Sequence, residues 1–228
     1  MQGLTPYNLK IVAEVLGGGA YPLHLLELLG RNPLIVDLGA NIGSFSLAAL
    51  TLRKDAQLVA VEPDPFNVTA LRNNLAATNA EVQQVAIGTY TGVTNLFLGD
   101  QDAVTNSTFL GEMASGVQKV TVPCQSASEF FDNIAQEHGP ISLLKCDIEG
   151  GEWHLLSLPS EVLEAIPVIF LEYHSASFME CFLPIILSSH VIYSGSVRFP
   201  HRGELAFIHK DLISPKQASY EIRDKPRN

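Results

Sequence analysis

Three short stretches carry residue types whose chemistry exceeds what a soluble surface requires. The first is Asp37-Leu38-Gly39-Ala40-Asn41-Ile42-Gly43. Glycine lets the backbone approach a ligand closely, and a helix starting there presents free N–H groups. The run is not the G-x-G-x-x-G of dinucleotide sites, nor a P-loop, because no Gly-Lys-Ser/Thr follows. A purely structural tight turn is the competing explanation. The second is Glu62, nineteen residues beyond Gly43 and followed by Pro63-Asp64-Pro65. An acid in that place can accept both hydroxyls of a ribose, as in dinucleotide sites; the plainer alternative is a solvated strand-end carboxylate. The third is Leu144-Lys145-Cys146-Asp147-Ile148-Glu149-Gly150-Gly151-Glu152-Trp153. It concentrates three carboxylates, a lysine and two glycines, and its acids could instead cap a following helix.

These groups suit a reaction in which a weak nucleophile must lose a proton. Asp147, Glu149 and His174 are the candidate bases. His174 lies two residues after Glu172, so strand alternation puts both on one face. Lys145 shares a face with Asp147 and reads as an ion-pair partner for these acids. The acids with His174 also offer ligands to a magnesium ion, but a metal-free site is the preferred reading. Arg198, His201 and Arg202 form a cationic cluster that could meet a substrate carboxylate or phosphate, or be a solvated turn.

The elements that carry these residues must bring them to one edge. Residues 33–38 are a short apolar run ending at Gly39, the pattern of a strand buried on both faces. Residues 43–53 read as a helix, 57–62 as a strand, 65–78 as a helix with Pro65 in its first turn, and 81–87 as a third strand. Strands follow at 92–98 and 119–124. The polar stretch 99–118 between them is long for a connection and is expected to be a substrate loop. Residues 126–137 return to helix, with Ser126 and Glu129 in capping-box spacing. Then come a strand at 141–147, a helix from 151, a strand at 167–173, a helix at 176–188, and a closing strand pair at 190–195 and 204–210. Alternating strands and helices mean an α/β sheet covered on both faces, with an antiparallel strand at one edge. Ligands of such sheets bind beyond the carboxyl ends of the strands.

With 228 residues and 46% hydrophobic content, one domain is expected over residues 1–210, including an N-terminal helical extension at 1–32 and followed by a loose tail at 211–228. Net charge is −10, and between Arg72 and Arg198 fourteen acids face two lysines. Such a surface repels polyanions, which disfavours nucleic acid and anionic membranes as partners. Cys124, Cys146 and Cys181 form no CxxC or zinc spacing and fit a reducing compartment. The apolar stretch 167–187 is broken by charges and a proline, so no membrane span is expected. A cytoplasmic location fits these features.

Asp-x-Gly-Ala-Asn-x-Gly, Val61-Glu62-Pro63 and Leu-Lys-x-Asp-x-Glu-Gly-x-Glu-Trp together resemble the FkbM family of S-adenosylmethionine-dependent methyltransferases. The resemblance spans roughly residues 33 to 210, and the last motif is its most specific part. It implies a Rossmann-like three-layer αβα sandwich whose seven-stranded, mostly parallel sheet has the order 3-2-1-4-5-7-6. Carried over, Asp37, Gly39, Ala40, Asn41 and Gly43 would hold the methionine part of S-adenosylmethionine. Glu62 and the adjoining Pro63 would serve the ribose, Ala86 and Ile87 would lie near the adenine, and Asn106-Ser107 and Asp147 would complete the cofactor set.

The expected function is O-methylation of a hydroxyl on a small molecule, sugar or natural product, with Asp147, His174 and Glu149 as catalytic residues. The alternatives are a catalytically silent cofactor-binding module on the same scaffold, and an amine, carboxyl or RNA methyltransferase. A nicotinamide oxidoreductase would need the dinucleotide glycine pattern, which is absent. Identity of the acceptor is not encoded in these motifs, and a homodimer is left open.

Overall fold

A computed structural model describes residues 13, 15, 17, 21–98 and 118–213. The main sheet contains β1 (Leu34–Leu38), β2 (Gln57–Val61), β3 (Glu81–Gln83), β7 (Ile141–Cys146), β8 (Val168–Tyr173), β9 (His190–Phe199) and β10 (Arg202–His209). Their order is β3-β2-β1-β7-β8-β10-β9. Counted among themselves in chain order, these strands run 3-2-1-4-5-7-6. The remaining strands, β4 (Ala86–Gly88), β5 (Gly92–Leu98) and β6 (Gln118–Ser126), form a separate three-stranded sheet between the third and fourth main strands in sequence.

Strict alternation in the central strands builds two cores. Val36, Leu38, Val61, Leu144, Ile169 and Leu171 face one layer. It holds Phe130, Phe131 and Ile134 of α3 (Ala127–His138), Leu163 of the short α4 (Ser160–Glu164), and Phe178, Phe182 and Ile186 of α5 (Ala176–Ile186). Ile35, Leu58, Ala60, Leu143, Val168 and Phe170 face the other. There they meet Phe45, Ala48 and Ala49 of α1 (Ser44–Leu52), and Leu71 and Leu75 of α2 (Pro65–Leu75). Burial of the central strands on both faces is why they read as unbroken apolar runs.

Helix starts follow local chemistry. Asp64 caps α2 by accepting from Phe66 N–H at 2.8 Å, with Pro65 at the first position. Ser126 caps α3 by accepting from Glu129 N–H. The expected capping box is completed through Thr91, whose hydroxyl accepts from Ser126 N–H and donates to Glu129.

Several sequence expectations are corrected. The 81–87 strand is two: β3 stays beside β2, whereas β4 turns away to pair with β6. Ala86 thereby enters a small cluster with Leu96 and Val122. The helix expected from 151 is present as a 3-10 helix, Gly151–Ser157. The antiparallel strand is not the edge. β10 lies between β8 and β9 and is antiparallel to both, leaving β9 outermost. The reason is that the α5 crossover returns β9 in the direction of β8, and the tight turn then folds β10 back into the gap. In the N-terminal extension, the described part contains a 3-10 helix, Leu23–Leu28, with Leu25 and Leu26 buried. Asn106, Ser107, nearly all of the 99–118 loop and the tail beyond 213 lie outside the described residues. Among the described residues no helix is long and apolar enough to cross a membrane.

Candidate active site

The carboxyl ends of β1, β2, β7 and β8 lie side by side, and their loops build the site from a buried ion pair outward. Asp37 and Lys145 are register partners on β1 and β7. The Lys145 ammonium is 3.1 Å from Asp37 Oδ1, and Ser46 Oγ donates to Asp37 Oδ2 at 2.6 Å. Asp37 is wholly buried and Lys145 nearly so. Burial pulls the ammonium pKa down, but the Asp37 and Asp147 charges outweigh it and raise the pKa overall. Lys145 also donates to the carbonyls of Leu38 and Gly39 at 3.3 and 2.7 Å. The Asp37 carboxylate is thus enclosed by the chain, where it anchors the lysine that holds the glycine loop.

That loop is shaped by close approaches within the chain. Gly39 N–H and Ala40 N–H both donate to Val61 O at 2.9 Å. Gly39 has φ +78°, and a Cβ there would lie 1.7 Å from the Asp147 carbonyl oxygen. A Cβ on Gly43, φ +89°, would meet Leu71 Cδ1 at 2.8 Å. These two glycines therefore serve loop–loop and loop–helix packing. Asn41 takes φ +51°, a conformation that asparagine tolerates better than most residues. Ala40 is buried, and α1 begins at Gly43 with no side-chain cap.

Glu62 is 5% exposed, so it is not a solvated strand end. It accepts from Asn41 N–H at 2.9 Å, Asp64 N–H at 3.0 Å and Asn67 Nδ2 at 3.4 Å. Burial pushes its carboxyl up to about 7, and the two backbone donors limit the rise. Pro63 between Glu62 and Asp64 is half-buried.

On the other side, Asp147 N–H donates to Leu38 O at 3.1 Å, fixing the β7 loop against β1. Burial first, then the Glu172 charge, raises the Asp147 carboxyl well above the ordinary aspartate range, against the opposing pull of Lys145. Glu149 adopts φ +51° and Gly150 φ +96°, a turn held by the fully buried Glu152. Glu152 Oε1 accepts from Gly150 N–H at 3.1 Å and Ile148 N–H at 3.3 Å, and lies 3.0 Å from His174 Nδ1. His174 Nε2 lies 3.0 Å from Glu149 Oε2 and 3.6 Å from Glu172 Oε1. Burial lowers the imidazole pKa, but hydrogen bonds to Glu149 and Glu152 overcome it and raise it to about 10. The ring therefore holds its second proton against Glu149, and serves as a base or a ligand only once that proton has left.

Arg202 completes the rim. Its Nε and Nη2 donate to Glu172 Oε1 at 2.9 and 2.8 Å, and Nη2 is 3.9 Å from Glu149. Arg198 donates to Glu204 at 2.6 Å. Two members of the expected cationic cluster, Arg198 and Arg202, are thus engaged by the chain's own acids, while His201 stacks on Phe199. Ala86 spends its side chain in the small-sheet cluster, leaving only its backbone for a ligand.

Sequence reasoning missed three contributors. The orienting role of Glu152 was obscured by the helix-cap alternative. Ser46 lies on one face with Asp37 only because α1 packs over β1. Tyr21, stacked on Phe170, has its phenol pKa raised by burial first and then by the charge of Asp147.

Residues 37–195 match the model of the methyltransferase FkbM domain. The chain is 27% identical over 175 residues to 2-O-methyltransferase NoeI of Sinorhizobium fredii, covering 71% of this chain and 72% of that protein. It is 38% identical over 73 residues to methyltransferase sdnD of Sordaria araneosa, covering 31% of this chain and only 28% of that protein. Among solved structures, a precorrin-6y C5,15-methyltransferase from Geobacter metallireducens GS-15 gives a TM-score of 0.47 at 12% identity, covering 87% of each chain. A ribosomal protein L11 methylase from Lactobacillus delbrueckii subsp. bulgaricus gives 0.46 at 15%, covering 82% of this chain and 76% of that one.

Proposed function

This chain belongs to the methyltransferase FkbM family, and we propose that it transfers a methyl group from S-adenosylmethionine to a hydroxyl oxygen of a small molecule or glycan. The carrying observation is the position of Asp147, whose amide is tied to β1 beside the glycine loop and whose carboxyl pKa is raised by burial and by Glu172. A carboxylate with heightened proton affinity is what an alcohol acceptor needs, because an alcohol is a poor nucleophile until a base takes its proton. The likeness to a 2-O-methyltransferase supports oxygen as the acceptor atom.

The donor groups present fit the cofactor. Glu62 is buried, with its remaining acceptor capacity suited to a ribose diol. Asn41 and the uncapped start of α1 offer polar groups to the methionine part, and Pro63 borders the ribose acid. Bound there, S-adenosylmethionine supplies an electrophilic methyl group on a sulfonium. The surplus of carboxylates around Asp147 favours a cationic ligand over an anionic one. Asp147 accepts the hydroxyl proton, with Glu149 beside it, while His174 and Arg202 balance part of the acidic charge. A net charge of −10 argues against a polyanionic acceptor.

Calorimetric titration with S-adenosylmethionine, and separately with NADH, tests the cofactor. Micromolar binding of the first alone is expected. Methyl transfer is then followed by mass spectrometry over panels of sugars, polyketide alcohols, amines and carboxylic acids. Product methylated at nitrogen or carboxylate, with none at hydroxyl oxygen, would overturn the acceptor assignment.

A further inference from the structure

We propose that Asp147, Glu149 and His174 bind one divalent cation through two carboxylate oxygens and an imidazole nitrogen, with Glu152 orienting the histidine. One ligand atom from each of the three lies within 4.8 Å of the others. An octahedral divalent cation with ligands about 2.1 Å away has neighbouring ligands about 3 Å apart and opposite ones about 4.2 Å apart. The 3.0 Å separation of His174 Nε2 and Glu149 Oε2 already matches one octahedral edge.

Two further observations point the same way. Asp147 Oδ1 is buried and has no hydrogen-bond partner. A buried acceptor without a donor is costly, and a cation removes that cost for a ligating oxygen. The histidine is also set up as metal-binding histidines are: its Nδ1 is held by a carboxylate outside the ligand set, Glu152, which fixes the ring and leaves Nε2 to face Asp147 and Glu149. Charge agrees. Among the described residues, the four carboxylates of Asp147, Glu149, Glu152 and Glu172 face His174 and Arg202, while Lys145 stands 3.9 Å from Asp147 and closer, at 3.1 Å, to Asp37.

Two oxygens and one nitrogen suit a manganese-class cation, and three protein ligands leave positions open. An acceptor hydroxyl in one of them would have its pKa lowered, with the second oxygen of a ligating carboxylate left to accept the proton. That catalytic use rests on the methyl-transfer reading; cation binding does not.

The test uses the full chain, stripped with chelator and titrated with Mn2+ alone while free Mn2+ is followed by electron paramagnetic resonance. One Mn2+ per chain is expected at micromolar affinity. Asp147→Asn and His174→Ala are each expected to weaken it by about 100-fold, and Glu152→Gln by about 10- to 100-fold. If a variant does not fold, as judged by circular dichroism, pulsed resonance on the Mn2+-loaded wild type still decides: a 14N coupling from a bound imidazole is expected. No saturable binding below millimolar Mn2+, undiminished binding in folded Asp147→Asn and His174→Ala, or absence of the 14N coupling would overturn the site. S-adenosylmethionine binding measured in chelator stands apart, so failure of either result leaves the other interpretable.

Discussion

Replacing Glu62 by glutamine is expected to weaken S-adenosylmethionine binding and remove a pH dependence that the wild type should display. A carboxyl raised from 4.5 to about 7 costs its ionised form about 3 kcal/mol in the empty protein, since each pKa unit is about 1.4 kcal/mol. The sign follows: the folded chain holds the proton more tightly than the unfolded chain, so the stability due to Glu62 is full below pH 4.5 and is lost as pH rises toward 7. Cofactor binding runs the other way, because ribose hydroxyls donate to the ionised carboxylate. At pH 6 only about one-tenth of Glu62 is ionised, so wild-type affinity should be about tenfold weaker than on its plateau above pH 8. Glutamine keeps the shape but turns an NH2 toward Asn41 N–H or Asp64 N–H, both of which now donate to Glu62. Loss of a charge-assisted bond is worth about 1.5–3 kcal/mol, or roughly 10- to 150-fold in affinity at pH 8. Calorimetry of both proteins from pH 5.5 to 8.5 measures this, and their difference cancels titration of the cofactor's own amine. A flat wild-type profile, or a glutamine variant binding as tightly at pH 8, would refute the ribose role.

Lys145→Met should cost about 3–5 kcal/mol in urea denaturation, because it strands Asp37 in the core, and Asp37→Leu combined with it should recover much of the loss; a single-variant cost under about 1 kcal/mol would remove the pair from its structural role. Gly39→Ala adds strain at positive φ and a clash with the Asp147 carbonyl, so its melting temperature should fall by an amount equivalent to about 3 kcal/mol or more. An unchanged thermal transition would mean the two loops are not as tightly joined as described. Asp147→Asn should lower kcat by about 10²- to 10⁴-fold with an unaltered circular dichroism spectrum. Full turnover by that variant would dismiss Asp147 as proton acceptor.

The scaffold was legible wherever a strand is buried on both faces, since 33–38, 57–62, 141–147 and 167–173 announce themselves by apolar runs of strand length. It failed where two short strands share one run, as at 81–87: a change of sheet between Gln83 and Ala86 leaves no mark on periodicity. Residue types at the site were equally plain, but their partners were not. Lys145 looked like a companion of the acids beside it in sequence, while register gives it Asp37 on a strand more than a hundred residues away. His174 carried the signal of a base by type and place. Only three-dimensional packing reveals that Glu149 and Glu152 grip its ring from both sides and raise its affinity for a proton. The glycines stand at close-approach points, and within the chain the groups that approach them are the Asp147 carbonyl at Gly39 and Leu71 at Gly43.

The pairing of β1 with β7 also bears on how the chain reaches its native state. The two strands are parallel and distant in sequence, so their ladder closes only after a long loop has been drawn in, a feature that slows folding. During synthesis the segment β1-α1-β2-α2-β3 emerges well before Lys145 does. Until then, burying Asp37 strands its carboxylate with Ser46 alone, at a cost of the order of 3–5 kcal/mol. The ion pair is thus expected to act as a gate against premature compaction of the N-terminal half. Pulse-labelled hydrogen exchange during refolding should find the β1 and β7 amides protected together, and protection of β1 well ahead of β7 would refute the gate. The glycine loop after β1 and the loop after β7 are then expected to become ordered in a single event, so a partly folded chain would hold neither half of the proposed site.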